Sequence, residues 1–173
     1  MLIKTVWNEP EKDISELLQS NIDVNLIDDQ GRTAFFCACE RGNTAAIKAL
    51  YGDYRVHINI RNMHSVTPLA MLCQKKNQEM IFFLLANGRE IDVKAKNDDD
   101  ETAISIATNN QLPTVVTWLS YYLENEFKNI QEFFRKEAKR VFRNENFLSM
   151  NHFFFFFFFF FPIKTNKSIN QTY

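Results

Sequence analysis

One eight-residue pattern occurs three times along this chain. Gly31-Arg32-Thr33-Ala34-Phe35-Phe36-Cys37-Ala38 returns as Ser65-Val66-Thr67-Pro68-Leu69-Ala70-Met71-Leu72, and again as Asp100-Glu101-Thr102-Ala103-Ile104-Ser105-Ile106-Ala107. The threonines stand 34 and then 35 residues apart. Self-similarity at this period marks a stacked array, in which each unit buries its apolar face only against its neighbours. The fold class that follows is an all-α solenoid. Such arrays present an extended surface, so the functional question moves from chemistry to binding.

Each unit has the same internal order. A polar turn comes first: Asp28 to Gly31, then Asn62 to Ser65, then Asn97 to Asp100. Asp, Asn and Gly suit tight turns because they bond to nearby backbone and tolerate unusual dihedral angles. Thr33, Thr67 and Thr102 follow at predicted helix starts, where a hydroxyl can accept an orphan N–H. Pro68 stands at a first helical position, which a missing N–H does not harm. The first helices should run to about Arg41, Lys76 and Asn109. The second helices carry Ile47 and Leu50, then Ile81, Leu84 and Leu85, then Val115, Val116 and Leu119. That spacing predicts one buried stripe per helix.

On these residues the chain resembles the ankyrin repeat family, whose units read T-P-L-H-x-A after a turn. Thr67-Pro68-Leu69-Ala70 is the nearest match and lacks the His. Gly42 fits the helix-ending glycine, with Lys76 and Gln111 in its place in the other units. Leu84-Leu85-Ala86-Asn87-Gly88 matches the end of a repeat. The resemblance implies a partial repeat over 2–25, repeats at about 26–58, 59–92 and 93–122, and helix-turn-helix units throughout. It also implies a surface: the hairpin tips and the inner face of the first helices. The tips are Asp28, Asp29, Gln30 and Arg32, then Met63, His64 and Val66, then Asp98, Asp99, Asp100 and Glu101. The inner face would offer Cys37, Glu40 and Arg41, then Met71, Gln74 and Lys75, then Ile106, Asn109 and Asn110. This surface would have an acidic end at the third tip and an apolar centre at Met63, Val66 and Met71. A partner protein with a basic rim and an apolar anchor would suit it.

After the array, Leu123, Phe127, Ile130, Phe134, Ala138 and Val141 recur at steps of three and four. An amphipathic helix over 123–150 is expected, covering the last repeat as a cap. Residues 151–173 form a low-complexity tail. Phe153 to Phe161 are nine consecutive phenylalanines, half of the 18 in the chain. Neither a helix nor a strand hides every side of such a run. It is also too short to span a bilayer, which needs about 20 apolar residues. Phe codons are T-rich, so a homopolymer tract translated in frame would give this sequence. A membrane-associated adaptor using the run is the alternative functional reading.

Candidate chemistry is sparse. The chain has four glycines and no G-x-x-x-x-G-K-[ST], G-x-G-x-x-G or H-E-x-x-H. Cys37, Cys39, Cys73, His57, His64 and His152 lack the spacing of a metal site. The cysteines fall inside predicted helices, which favours reduced thiols and a cytoplasmic or nuclear compartment. The basic residues Arg135, Lys136, Lys139, Arg140 and Arg143 are interleaved with or flanked by Glu132, Glu137 and Glu145, and the net charge is −1. Nucleic acid is therefore not an expected partner. Trp7 and Trp118 read as core residues. The expectation is a monomeric, non-catalytic protein-binding module without metal or cofactor.

Overall fold

Helix starts in the structure fall where the repeated threonines put them. The computed structural model describes residues 2–8, 14–87 and 89–124. It contains eight helices among them: α1 (Leu2–Asn8), α2 (Ser15–Gln19), α3 (Ala34–Arg41), α4 (Thr44–Gly52), α5 (Pro68–Gln74), α6 (Gln78–Ala86), α7 (Ala103–Asn109) and α8 (Pro113–Glu124). One isolated bridge, Lys96 with Thr102, is the only extended pairing among the described residues. Thr33, Thr67 and Thr102 cap α3, α5 and α7 by accepting the N–H of Phe36, Ala70 and Ser105 at 3.1, 3.1 and 3.3 Å. Ser105 returns the contact to the Thr102 N–H at 2.8 Å, closing a capping box. Asn43 and Asn77 cap α4 and α6 in the same manner. Their role was not expected from the sequence.

The first helices end on a repeated left-handed residue. Gly42, Lys76 and Gln111 have φ of +68°, +57° and +59°. The next N–H reaches back five residues each time: Asn43 to Ala38, Asn77 to Leu72 and Leu112 to Ala107, at 2.9, 3.0 and 3.0 Å. This is the helix-ending loop for which glycine is best suited. A side chain at a left-handed position costs roughly 1–2 kcal/mol, while glycine costs about 0.5–1 kcal/mol in chain entropy. Lys76→Gly and Gln111→Gly should therefore each stabilise the fold, by about 0.5–1 kcal/mol. Urea denaturation midpoints will test this; a lower midpoint in both variants would show that the loops are not strained.

The inner helices α1, α3, α5 and α7 pack side by side, each of the last three against its own outer helix, and α6 packs on α8. Phe35, Phe36, Ile47, Leu50, Leu72, Met80, Ile81, Leu84, Leu85 and Leu119 fill the space between, all with essentially no exposure. The expected stripes hold, except that Val116 is only half-buried. Adjacent repeats are also joined through polar side chains. Asn25 donates to the Arg55 carbonyl at 2.7 Å and accepts from the His57 N–H at 2.7 Å. Asn59 repeats this with Glu90 and Asp92 at 2.9 and 3.1 Å. Arg55 reaches the carbonyls of Leu18 and Ser20, and Arg89 those of Tyr51, Asp53 and Val56. These joints let degenerate units hold register. Helix α8 runs past residue 122, to Glu124. The rest of the expected cap over 123–150 and the Phe153–Phe161 run lie outside the described residues.

Candidate functional site

Each tip is built by one Asp or Asn at its start. Asp28 Oδ1 accepts the N–H groups of Gln30 and Arg32, at 3.0 and 2.9 Å. Asn62 Oδ1 does the same for His64 and Val66, at 3.0 and 2.9 Å. Asn97 Oδ1 does it for Asp99 and Glu101, at 3.0 and 2.8 Å. The fourth turn residue is left-handed in all three, with φ of +72° at Gly31, +58° at Ser65 and +62° at Asp100. The tips are then bonded to one another: Met63 N–H donates to the Gln30 carbonyl at 2.9 Å, and Asp98 N–H to the His64 carbonyl at 3.3 Å. At Gly31 this stacking leaves no space, because a Cβ would lie 3.0 Å from the Met63 nitrogen. The result is one continuous strip on which Asp29, Gln30, Met63, His64, Asp98 and Asp99 are exposed.

The inner helices present a second row, in which Arg41, Gln74, Lys75 and Asn109 are exposed and Glu40 and Asn110 half-buried. Four expected surface residues do not fit. Val66 is 7% and Met71 8% exposed, so the apolar centre shrinks to Met63, which is 61% exposed. Cys37 and Ile106 are likewise buried. All four are buried, as an array buries its apolar side chains between neighbouring units. Asp100 is exposed, but its carboxylate is paired with Lys96 at 3.0 Å.

Several remaining polar residues are engaged in cross-links. Arg32 bridges Asp28 at 2.8 Å and Glu40 at 3.0 Å, tying the first tip to α3. Burial alone would raise the Asp28 carboxyl, but the Arg32 side chain and the N–H groups of Arg32 and Gln30 hold it below the ordinary value. The third unit places Glu101 and Asn109 in the same relation, 3.4 Å apart. Trp7 differs from expectation. It is half-buried, with the guanidinium of Arg41 4.1 Å and that of Arg32 4.5 Å from its ring centre. Arg41 also donates to the Trp7 carbonyl at 3.0 Å. The ring thus extends the inner row onto α1, and no local sequence signal marked it, because its two cations lie on another repeat.

The three cysteines are buried, which disfavours their thiolate forms. Burial pushes Cys37 up to about 11 and Cys73 up to about 12, and raises Cys39 further. No helix among the described residues is long and apolar enough to cross a membrane. The Phe run, on which the membrane-associated alternative rests, is not among them.

Comparison with known proteins agrees with this geometry. A family model described as ankyrin repeats (3 copies) matches residues 2–97, more than half of the chain. Over 86 residues the chain is 35% identical to the human transient receptor potential cation channel subfamily A member 1. That match covers 49% of this chain and 8% of the relative, so the chain spans a small part of that protein's length.

Proposed function

The chain belongs to the ankyrin repeat family, and on that premise we propose that it is a non-catalytic module binding a partner protein through its tips and inner helices. The observation that supports this best is the bonded strip of tips. Its backbone is fixed by Asp28, Asn62 and Asn97, which leaves the side chains of Asp29, Met63, His64, Asp98 and Asp99 exposed and unused by the fold. A rigid strip loses little entropy on binding. Carboxylates at both ends around one exposed methionine suit a partner with basic residues flanking an apolar side chain. Glu40, Arg41, Gln74, Lys75 and Asn109 supply the second row. A monomer in a reducing compartment fits this reading, since the three cysteines are buried and free.

The test is the double variant Asp98→Lys with Asp99→Lys. Asp100 is left unchanged, because its left-handed backbone and its Lys96 pair would confuse the result. A partner recovered from the source cell on the full chain should bind this variant on the order of tenfold more weakly, which is about 1.4 kcal/mol. Titration calorimetry at two salt concentrations reads it, with circular dichroism to show the fold intact. Unchanged affinity together with unchanged salt dependence would refute the assignment of the tips.

A further inference from the structure

The carboxyl ends of the inner helices gather positive charge. Thr33, Thr67 and Thr102 are each followed, eight residues later, by Arg41, Lys75 and Asn110. Two of these three side chains reach back to the preceding inner helix. Arg41 donates to the Trp7 carbonyl at 3.0 Å and Asn110 to the Cys73 carbonyl at 3.2 Å. Lys75 does not: it is exposed, and among the described residues its ammonium has no hydrogen bond or ion pair. Lys76 beside it is also exposed, at a left-handed position that Gly42 fills in the first unit. The helix dipole favours one cation at this end. It does not account for a second cation on a strained residue. Arg41 keeps donors to spare, since it gives one hydrogen bond to a described residue, and the Trp7 ring 4.1 Å away holds its guanidinium in place. The carboxylates next in sequence are already matched, Glu40 with Arg32 at 3.0 Å and Glu79 with Lys48 at 4.0 Å. The exposed Asp29, Asp98 and Asp99 lie at the tips, ahead of the opposite ends of the inner helices.

We propose that Arg41, Lys75 and Lys76 bind an acidic, extended segment of the partner protein. This deepens the second row of the binding surface proposed above and rests on that reading, but it does not depend on the tips. Helices α3 and α5 pack side by side, and packed helices lie about 8–10 Å apart. Arg41 therefore stands about that far from the Lys75–Lys76 pair. A polyproline-type segment repeats a side-chain direction every third residue, over about 9 Å. Carboxylates at that spacing meet Arg41 and the lysine pair together, and the fixed fork of Arg41 suits one of them in particular. The acidic tips of a second copy do not match. Their exposed carboxylates lie either on one turn, at Asp98 and Asp99, or two units away, at Asp29, whereas the cations lie one unit apart. Nucleic acid is disfavoured because the cationic cluster is small and the net charge is −1.

A blocked peptide of Glu-Pro-Pro repeats carries this spacing. It is titrated into the ¹⁵N-labelled full chain, beside a Gln-Pro-Pro equivalent and a peptide of the same composition with its glutamates adjacent. The first should shift the amides of Arg41, Gly42, Lys75 and Lys76 saturably, and bind about tenfold more tightly than either control. Lys75→Gln with Lys76→Gly should weaken that binding about tenfold, although the second change also removes a strained residue. Lys75→Arg should retain it. The variant Asp98→Lys with Asp99→Lys, which tests the tips, should leave these shifts unchanged, so the two surfaces are read separately. The proposal is overturned if the Glu-Pro-Pro peptide gives no saturable shift, if either control binds equally, or if the lysine double variant binds as tightly as the parent. Tighter binding of a single-stranded oligonucleotide at the same amides would overturn it too, as would the same shifts appearing when the chain alone is concentrated.

Discussion

Leu84→Ala is expected to lower unfolding free energy by about 2–5 kcal/mol, whereas Leu26→Ala should change it by less than about 0.5 kcal/mol. Both replacements remove the same atoms, so the contrast isolates environment. Leu84 is 2% exposed, in α6 between two other repeats. Its neighbourhood is close-packed, with Tyr51 and Phe83 meeting edge to face at 5.1 Å, so the cavity would collapse only in part. The Tyr51 hydroxyl also approaches the Leu84 carbonyl at 3.4 Å, joining α4 to α6 across the repeat boundary. An array stabilised by nearest-neighbour interfaces loses more than one helix when a central joint weakens. Leu26, by contrast, is already in water. Leu112 falls between them: it lies in the link ahead of Pro113, as the sequence places it, yet it is only 7% exposed. Urea midpoints for the three variants should therefore fall in the order Leu84, Leu112, Leu26. Equal midpoints for Leu84→Ala and Leu26→Ala would mean that the register of the second helix is wrong.

Local signals in the sequence were reliable where one residue determines one contact. Thr33, Thr67 and Thr102 each cap the helix that follows, and a cap needs only its own N–H three residues on. The turn residues behave likewise, because an Asx side chain bonds within its own turn. Even the strained helix ends were visible, as Lys76 and Gln111 in the place of Gly42. The candidate surface was less legible. Val66 and Met71 sit at the right positions in the repeat, but both side chains are buried, Val66 just ahead of the Thr67 cap and Met71 on α5. Trp7 failed in the opposite direction: an aromatic residue reads as core until two arginines from α3 and its preceding tip come to lie on its ring. The joints between units were also missed. Asn25, Asn59, Arg55 and Arg89 act across 30 to 38 residues, and no local pattern reports a partner at that distance. Repetition could have signalled them, since Asn25 and Asn59, and Arg55 and Arg89, are each 34 residues apart.

The largest polar effect should come from Arg89→Ala, at about 2–4 kcal/mol. The C-terminal carbonyls of a helix and the loop beyond it lack intrahelical donors, and they carry the negative end of the helix dipole. Arg89 supplies what α4 lacks. Its guanidinium donates to the carbonyls of Tyr51 at 2.8 Å and Asp53 at 3.4 Å, and to that of Val56. It also lies over the Tyr51 ring, 5.2 Å from the centre, while its own N–H donates to the Tyr51 hydroxyl at 3.1 Å. One side chain from the following unit thus closes the end of the preceding one. Truncation removes the guanidinium donors of the Tyr51 and Val56 carbonyls, while the Asp53 carbonyl keeps the Val56 N–H at 3.1 Å; loss of donors at partly buried carbonyls is more costly than the loss of a solvated pair. Arg89→Lys should recover less than half of the loss, because a single ammonium cannot serve three carbonyls in a planar fork. Arg61→Ala is the control: its contact with Asp92, at 3.2 Å, joins two exposed side chains and should be worth about 0–1 kcal/mol. Hydrogen exchange adds a second readout, since loss of the clamp should speed exchange first in the last turn of α4 rather than in α6. If Arg89→Ala matches Arg61→Ala in both midpoint and exchange, then the repeats are held by apolar packing alone, and the recurrence of arginine at 55 and 89 has no structural meaning.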